Sequence, residues 1–187
     1  MPKVSLLTFG IFVFTFIIAL FLVNGTEIFK NISKQDGCEI NKVVKTVRGE
    51  SMYPLLKHGQ EIVVSEGYYN CNSPQIGDLV MVDHANRETP LVKVIRAVPN
   101  NKLQIVKEDD FYKIIVNGQS LKNSVGKLYR LSEQEAKMIS LYERDYKGMI
   151  PKDAYLILGD NVDSSLDSTE FGLVGKKSLL GKINYHP

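Results

Sequence analysis

The chain has 187 residues, a length that fits one domain with or without an anchor and excludes a second large module. Its 23 basic and 21 acidic residues give a net charge of +2, so it lacks the basic field of nucleic-acid-binding proteins, and no nucleic-acid partner is expected. The two cysteines, Cys38 and Cys71, lack the Cys/His spacing of a zinc site, and no metal is expected. Whether they form a disulfide or stay as thiols is left open by the sequence.

A long apolar segment lies near the N-terminus. No charged residue occurs from Val4 to Thr26, and Leu6 to Val23 is almost wholly aliphatic or Phe. As a helix, the 18 residues from Leu6 to Val23 would extend about 27 Å, close to the ~30 Å hydrocarbon core of a bilayer. A cleaved secretory signal is the alternative, but Asn24 to Thr26 lacks the small-residue pattern of a cleavage site. A retained transmembrane anchor is therefore favoured.

The chain is accordingly predicted to have four segments. They are a short stub at 1–4, a single transmembrane anchor at 5–23, a linker at 24–42 and a β domain at 43–187. The short N-terminal stub favours a catalytic or binding domain on the extracytoplasmic side, and the lack of an Arg- and Ser-rich presequence favours a cell inner (plasma) membrane.

Short β-branched runs separated by Gly, Pro and Asn dominate the last segment and predict a mainly β fold. The predicted strands are Val43 to Val47, Glu61 to Val64, Asp78 to Val82, Leu91 to Ile95 and Ala154 to Leu158.

Two local signals stand out between these strands. Asn117 and Gly118 both tolerate positive φ, which predicts a hairpin with a type I′ turn. Ser132 followed by Glu135 is typical of a helical capping box, and Gly148 would end that helix. The helix is the one predicted interruption of the β pattern, and the sequence assigns it no role.

A candidate nucleophile lies in Gly49 to Pro54, which reads Gly-Glu-Ser-Met-Tyr-Pro. Because Ser51 follows a strand and precedes a proline turn, its hydroxyl can project from a fixed backbone and its own N–H can point toward an oxyanion. Most serines in turns have structural roles, so this assignment depends on a nearby base.

Lys93 is the candidate base, 42 residues after Ser51. On a strand, Leu91 and Ile95 share its face, and burial there would lower the pKa of the amine and make its neutral form available near neutral pH. A surface lysine with its charge in solvent is the alternative.

The histidines offer a different base. They are His58, His84 and His186. His84 follows Asp83 in a polar loop, so a Ser-His-Asp arrangement stays open.

A third polar cluster, from Gly159 to Ser168, follows a predicted strand and is by default a turn stabilised by its own side chains. Its three aspartates do not have the spacing of an EF-hand calcium loop.

Four motifs in this order resemble the type I signal peptidase family of Ser/Lys proteases. After the apolar anchor come Gly-x-Ser-Met-x-Pro at Gly49 to Pro54, Gly-Asp-Leu-Val-Met-Val at Gly77 to Val82, Lys93 on its apolar strand, and the run from Gly159 to Asp167. The resemblance implies an antiparallel β-sheet Ser/Lys peptidase fold with a minor helical insertion. It also implies a serine endopeptidase that removes N-terminal signal peptides from exported preproteins and needs no cofactor.

The resemblance assigns roles to individual residues. It implies that Ser51 is the nucleophile, that Lys93 is the general base, and that Ser165 hydrogen-bonds and orients the lysine amine. Asp160 and Asp167 would shape the surrounding loop.

Substrate and lipid contacts follow from the same resemblance. Met52 and Pro54 would contact the signal peptide of a membrane-tethered preprotein. The apolar residues Tyr53, Leu55 and Leu56 would dip toward the lipid bilayer.

The chain departs from the family pattern at several positions. Val94, Val162 and Thr169 stand where many members have Arg, which puts an ion pair between Asp167 and an arginine in doubt. Gly49 stands where one branch has an oxyanion-binding serine, so backbone N–H groups would stabilise the oxyanion. Two alternatives remain, a processing peptidase of a conjugative system and a catalytically silent, membrane-tethered binding module.

Overall fold

A computed structural model describes residues 32–35, 38–84 and 89–185. The predicted stub, the predicted anchor at 5–23 and residues 24–31 and 36–37 of the predicted linker lie outside the described residues. The rest of the linker forms strands. Among the residues that are described, no helix is long and apolar enough to cross a membrane.

Strands dominate the described part of the chain, as predicted. Those of the larger sheet are β1 (Ile32–Gln35), β2 (Cys38–Thr46), β3 (Glu61–Glu66), β4 (Leu79–Val82), β5 (Leu91–Ala97), β10 (Ala154–Leu158), β11 (Val174–Gly175) and β12 (Leu179–Asn184). Those of the smaller sheet are β6 (Leu103–Glu108), β7 (Phe111–Val116), β8 (Gln119–Ser120) and β9 (Arg130–Leu131). The helices are α1 (Glu133–Asp145) and α2 (Ser168–Phe171), and 3-10 turns form at Tyr68–Asn70 and Lys176–Ser178.

The larger sheet has the strand order β1-β2-β3-β12-β4-β5-β10-β11, and the pairings whose register is described are antiparallel. The smaller sheet has the order β6-β7-β8, with β9 also on β7. A mainly antiparallel β fold with few helices is therefore confirmed.

The local signals are confirmed as well. Asn117 and Gly118 adopt φ values of 50° and 81° between β7 and β8. Ser132 and Glu135 form the reciprocal capping box at the start of α1. The helix ends at Asp145, somewhat earlier than predicted, and Gly148 takes a positive φ just beyond it.

Three buried hydrophobic clusters hold the described strands together. One lies among α1, the smaller sheet and β10; a second lies under the loop between β2 and β3, where Met52 and Leu56 are buried. The third contains Ile95 and Ile157 from the paired strands β5 and β10. Because β10 ends at Leu158 beside Val94 of β5, the polar loop after β10 begins close to Lys93.

Cys71 is disulfide-bonded. It directly follows the 3-10 turn in which Tyr69 is buried, so the bond fixes the chain next to a core residue. The alternative of a free thiol at Cys71 is thereby excluded.

Candidate active site

The loop between β2 and β3 carries Ser51 and is closed at its base by backbone hydrogen bonds. The Val47 N–H donates to Gln60 O at 2.8 Å, and the Gly59 N–H donates to Val47 O at 2.9 Å. Leu56 is fully buried beneath the loop, so its apolar side chain fixes the turn that follows the serine.

Lys93 lies directly against the serine hydroxyl. Its Nζ is 2.8 Å from Ser51 Oγ, a hydrogen-bond distance. The side chain is only 1% exposed, and its strand position is opposite Val80 of β4. The alternative of a solvent-exposed surface lysine is therefore wrong.

The two described histidines, His58 and His84, are engaged elsewhere. The His84 ring stacks on Phe171 with ring centroids 3.9 Å apart, and His58 Nδ1 accepts a hydrogen bond from the Gly49 N–H at 3.1 Å. His186 lies outside the described residues. Within the described ranges, no hydrogen bond joins a histidine to Ser51, so the Ser-His-Asp alternative is not formed.

The loop after β10 holds the backbone on both sides of the candidate nucleophile. The Asn161 N–H donates to Ser51 O at 3.0 Å, and Asn161 Nδ2 donates to Glu50 O at 3.2 Å. Glu50 O also accepts from the Tyr53 N–H at 3.0 Å. In the described part of the chain, the Ser51 N–H itself donates no hydrogen bond.

Ser165 and the Ser51 carbonyl group both lie next to Gly159, but Ser165 does not make the hydrogen bond predicted for it. Its Oγ is buried and has no hydrogen-bond partner, so the predicted bond to the Lys93 amine is not formed. The hydroxyl packs against Gly159 instead, where a Cβ would lie 2.0 Å from it. A supporting role for Ser165 stays a prediction.

Asp160 is fully buried and anchors the loop through a polar network. Its Oδ1 is 3.1 Å from Arg96 Nη2 and accepts from the Ser124 N–H at 2.9 Å. Arg96 Nη2 also lies 3.1 Å from the Tyr129 hydroxyl, which donates to Gly159 O at 2.8 Å. These bonds fit the expected role of Asp160 in shaping the loop.

The members of this network that sequence reasoning missed come from distant segments. Ser124 and Tyr129 lie between β8 and β9, where no motif marks them. Arg96 lies on β5, two residues after Val94, and its charge alone could have suggested a carboxylate as partner.

Asp167 holds the other end of the loop without an arginine. Its Oδ2 accepts from the Gly159 N–H at 2.8 Å, while Oδ1 accepts from the N–H and hydroxyl of Thr169 at 3.1 and 2.9 Å. No salt bridge to Asp167 occurs among the residues that are described. Thr169, which stands where many family members have Arg, therefore supplies two of the three donors.

A groove of about 500 Å³ adjoins Ser51 and Lys93. Its walls come from the end of β2 and the start of β5, and Met52, Ile62 and Met81 supply apolar surface. Among the predicted substrate contacts, Met52 thus lines the groove, whereas Pro54 does not.

The apolar residues expected to reach lipid differ in exposure. Tyr53 is 52% exposed and Leu55 is half-buried. Leu56 is 0% exposed, so its predicted contact with lipid is wrong; it belongs to the core beneath the loop.

A known protein family matches nearly the whole of this chain. The family model described as signal peptidase, peptidase S26, matches residues 3–186. The chain belongs to this family. It is 33% identical to signal peptidase IB of Staphylococcus aureus (strain COL) over 149 residues, which are 75% of this chain and 74% of that protein.

Two further similar proteins are both signal peptidases I. Signal peptidase I of Bacillus caldolyticus is 29% identical over 142 residues, covering 74% of this chain and 75% of that protein. A crystal structure of a signal peptidase I from Enterococcus faecalis has a TM-score of 0.44 and 22% identity, covering 60% of this chain and 98% of that one. The family match over residues 3–186 and the 33% identity to signal peptidase IB confirm the resemblance to type I signal peptidases seen in the sequence.

Proposed function

We propose that this chain is a membrane-tethered serine endopeptidase that removes N-terminal signal peptides from exported preproteins. The observation that carries the proposal is the 2.8 Å separation of Ser51 Oγ and the buried Lys93 Nζ, in a member of the signal peptidase family. Ser51 would be the nucleophile and Lys93 the general base.

The environment of Lys93 suits a base. Burial disfavours the charged ammonium, so we expect the neutral amine to be available at a pH where an exposed lysine would be protonated. Neutral Lys93 would take the Ser51 proton as Oγ attacks the scissile carbonyl, and protonated Lys93 would deliver a proton to the leaving amine. A water molecule would then hydrolyse the acyl-enzyme ester.

The backbone at Ser51 suits the developing oxyanion. Its N–H donates no hydrogen bond among the described residues, and Asn161 holds the neighbouring carbonyl groups of Glu50 and Ser51. A fixed N–H aimed at a developing negative charge stabilises it without reorganisation during the reaction. This assignment is consistent with Gly49, which has no side chain to offer.

The groove next to the dyad suits an extended peptide. The end of β2 forms one wall, so the substrate could add its backbone to a strand edge, and the apolar surface of Met52 and Ile62 would accept small side chains. The apolar segment from Leu6 to Val23 would tether the enzyme to the plasma membrane from which its membrane-inserted substrates emerge.

The test is cleavage by the full-length, detergent-solubilised protein of a preprotein carrying an Ala-x-Ala site, with Ser51→Ala and Lys93→Ala variants measured in parallel. We expect the wild type to cut after the second Ala. Activity should rise toward alkaline pH over about pH 6 to 10, because the base must be neutral. Both variants should lose activity.

Three controls make the result specific. A preprotein with bulky residues in place of both alanines should not be cut. His84→Ala should cut like the wild type, because the His84 ring stacks on Phe171 and makes no described hydrogen bond to Ser51. Cleavage by Lys93→Ala together with inactivity of His84→Ala would reject the lysine base, and a wild type that cuts no preprotein would favour the silent binding module.

A further inference from the structure

His58 lies across the nucleophile loop from Ser51, and its side chain bonds to the backbone of that loop. Its Nδ1 accepts from the Gly49 N–H at 3.1 Å. Gly49 adopts a φ of 79°, in the left-handed region that favours glycine. The bond therefore ties the far side of the loop to the sharp turn two residues before the nucleophile.

This bond complements the one that Asn161 makes on the other side of Ser51. Asn161 holds Glu50 O and Ser51 O, whereas His58 holds the Gly49 N–H. Asn161 thus holds the peptide groups directly before and after Ser51, and His58 holds the peptide group between Arg48 and Gly49, which leads into them.

We infer that His58 is a positioning residue. By accepting a hydrogen bond from the Gly49 N–H, it orients the Ser51 N–H and hydroxyl. The inference rests on the proposed function, since it takes Ser51 as the nucleophile. His58 touches neither Ser51 nor Lys93 by any described hydrogen bond, so its influence passes through the backbone.

The chemistry of the bond defines what the position requires. An imidazole nitrogen accepts a hydrogen bond only when it carries no proton, so the acting form of His58 is the neutral tautomer with its proton on Nε2. An Asn side chain places an amide oxygen close to the position of Nδ1 and can replace the acceptor. A Phe side chain keeps the ring but has no acceptor.

The test compares His58→Phe and His58→Asn with the wild type and with Ser51→Ala, using the full-length protein and the Ala-x-Ala preprotein. His58 is exposed, so we expect neither His58 variant to change the melting temperature appreciably. His58→Phe should lower kcat by about 3- to 10-fold, the range that corresponds to one lost hydrogen bond, with KM unchanged. His58→Asn should restore most of kcat.

The outcomes separate this inference from the proposed function. Wild-type kcat in His58→Phe would overturn the positioning role, as would an equal loss in both variants or an effect on KM alone. In each of those cases an inactive Ser51→Ala would leave the nucleophile assignment standing. Cleavage by Ser51→Ala would instead overturn the proposed function, and the role of His58 with it.

Discussion

Gly159 and Ser165 approach so closely that no side chain fits at position 159. A Cβ there would lie 2.0 Å from Ser165 Oγ and 2.5 Å from Ser51 O. The requirement is one of space, because Gly159 is not among the glycines with positive φ. The loop after β10 can therefore reach the nucleophile loop, and Asn161 can hold it, only with glycine at this position.

We expect Gly159→Ala to impair cleavage far more than it impairs folding. The added methyl group must push Ser165 or the Ser51 carbonyl aside, and a displacement of about 1 Å at a catalytic group can cost about 100-fold in rate. Overpacking should lower the free energy of unfolding by about 1–3 kcal/mol. The measurements are preprotein cleavage and urea unfolding.

Gly175→Ala is the matched control for this substitution. The nearest atom to a Cβ at Gly175 is Asp153 O at 3.9 Å, an ordinary contact, and its φ of −78° suits alanine. Both kcat and stability should match the wild type. Wild-type kcat in Gly159→Ala would show that the loops separate without cost to the reaction.

The buried ion pair between Arg96 and Asp160 should contribute to stability through the cost of breaking it. Asp160→Ala leaves the Arg96 guanidinium, whose side chain is 17% exposed, without its carboxylate and should lower the free energy of unfolding by about 3 kcal/mol. Arg96→Met together with Asp160→Leu should recover part of that loss, because neither charge then remains unpaired. Urea unfolding of the wild type, Arg96→Met, Asp160→Leu and the double variant measures the coupling.

An exposed pair provides the comparison. Lys127 and Asp163 form a salt bridge whose side chains are 53% and 71% exposed. Surface pairs contribute about 0–1 kcal/mol, so Asp163→Ala should change the free energy of unfolding by no more than that. Equal losses in Asp160→Ala and Asp163→Ala would contradict the importance of burial.

Elements specified by local chemistry were predictable from the sequence. The hairpin at Asn117 and Gly118 depends on two adjacent residues that tolerate positive φ, and the start of α1 depends on Ser132 and Glu135, one turn apart. The strands were predictable as well, because short runs of β-branched residues mark them in the sequence.

Features set by tertiary contacts were not predictable. Strand β12 inserts between β3 and β4, which are adjacent in sequence among the strands, and no local pattern encodes that insertion. Arg96 reaches Asp160 from another strand, and Ser165 turns out to pack on Gly159 instead of bonding to the lysine. The family resemblance assigned roles to Ser51 and Lys93. The 2.8 Å distance between Ser51 Oγ and Lys93 Nζ depends on the fold, and the sequence alone could not predict it.

Two substitutions at Lys93 should separate chemistry from packing. Lys93→Met and Lys93→Ala both remove the amine, so both should reduce kcat by at least about 100-fold, as expected for loss of a general base. Met fills the buried space with an apolar chain, and stability should be unchanged or raised. Ala leaves a cavity at a site that is 1% exposed, and stability should fall by about 2–4 kcal/mol.

Cleavage assays and urea unfolding measure both effects on the same preparations. An Ala variant as stable as the Met variant would indicate that the strand collapses into the space. A Met variant that still cuts would reject the role of the amine.

Tyr129 should make stability depend on alkaline pH. Burial, opposed in part by Arg96, raises the pKa of Tyr129 to about 12, whereas an unfolded tyrosine has a pKa of about 10. The folded state therefore holds the phenol proton more tightly, so this stabilisation is complete below about pH 10 and is lost as pH rises through about 12. Ionisation would also remove the hydroxyl donor to Gly159 O.

Tyr129→Phe should consequently flatten the alkaline loss of stability. The variant should be less stable than the wild type by about 1 kcal/mol at pH 8, because it lacks the hydrogen bond to Gly159 O, and this difference should shrink above about pH 10 and change sign toward pH 12. Urea unfolding at steps between these values measures it. Tyr69→Phe should flatten the alkaline loss of stability in the same way, because burial and the Asp78 carboxylate raise the pKa of Tyr69 still further. If the difference between wild type and Tyr129→Phe is constant with pH, the pKa of the Tyr129 hydroxyl is the same in the folded and the unfolded protein, and burial does not raise it.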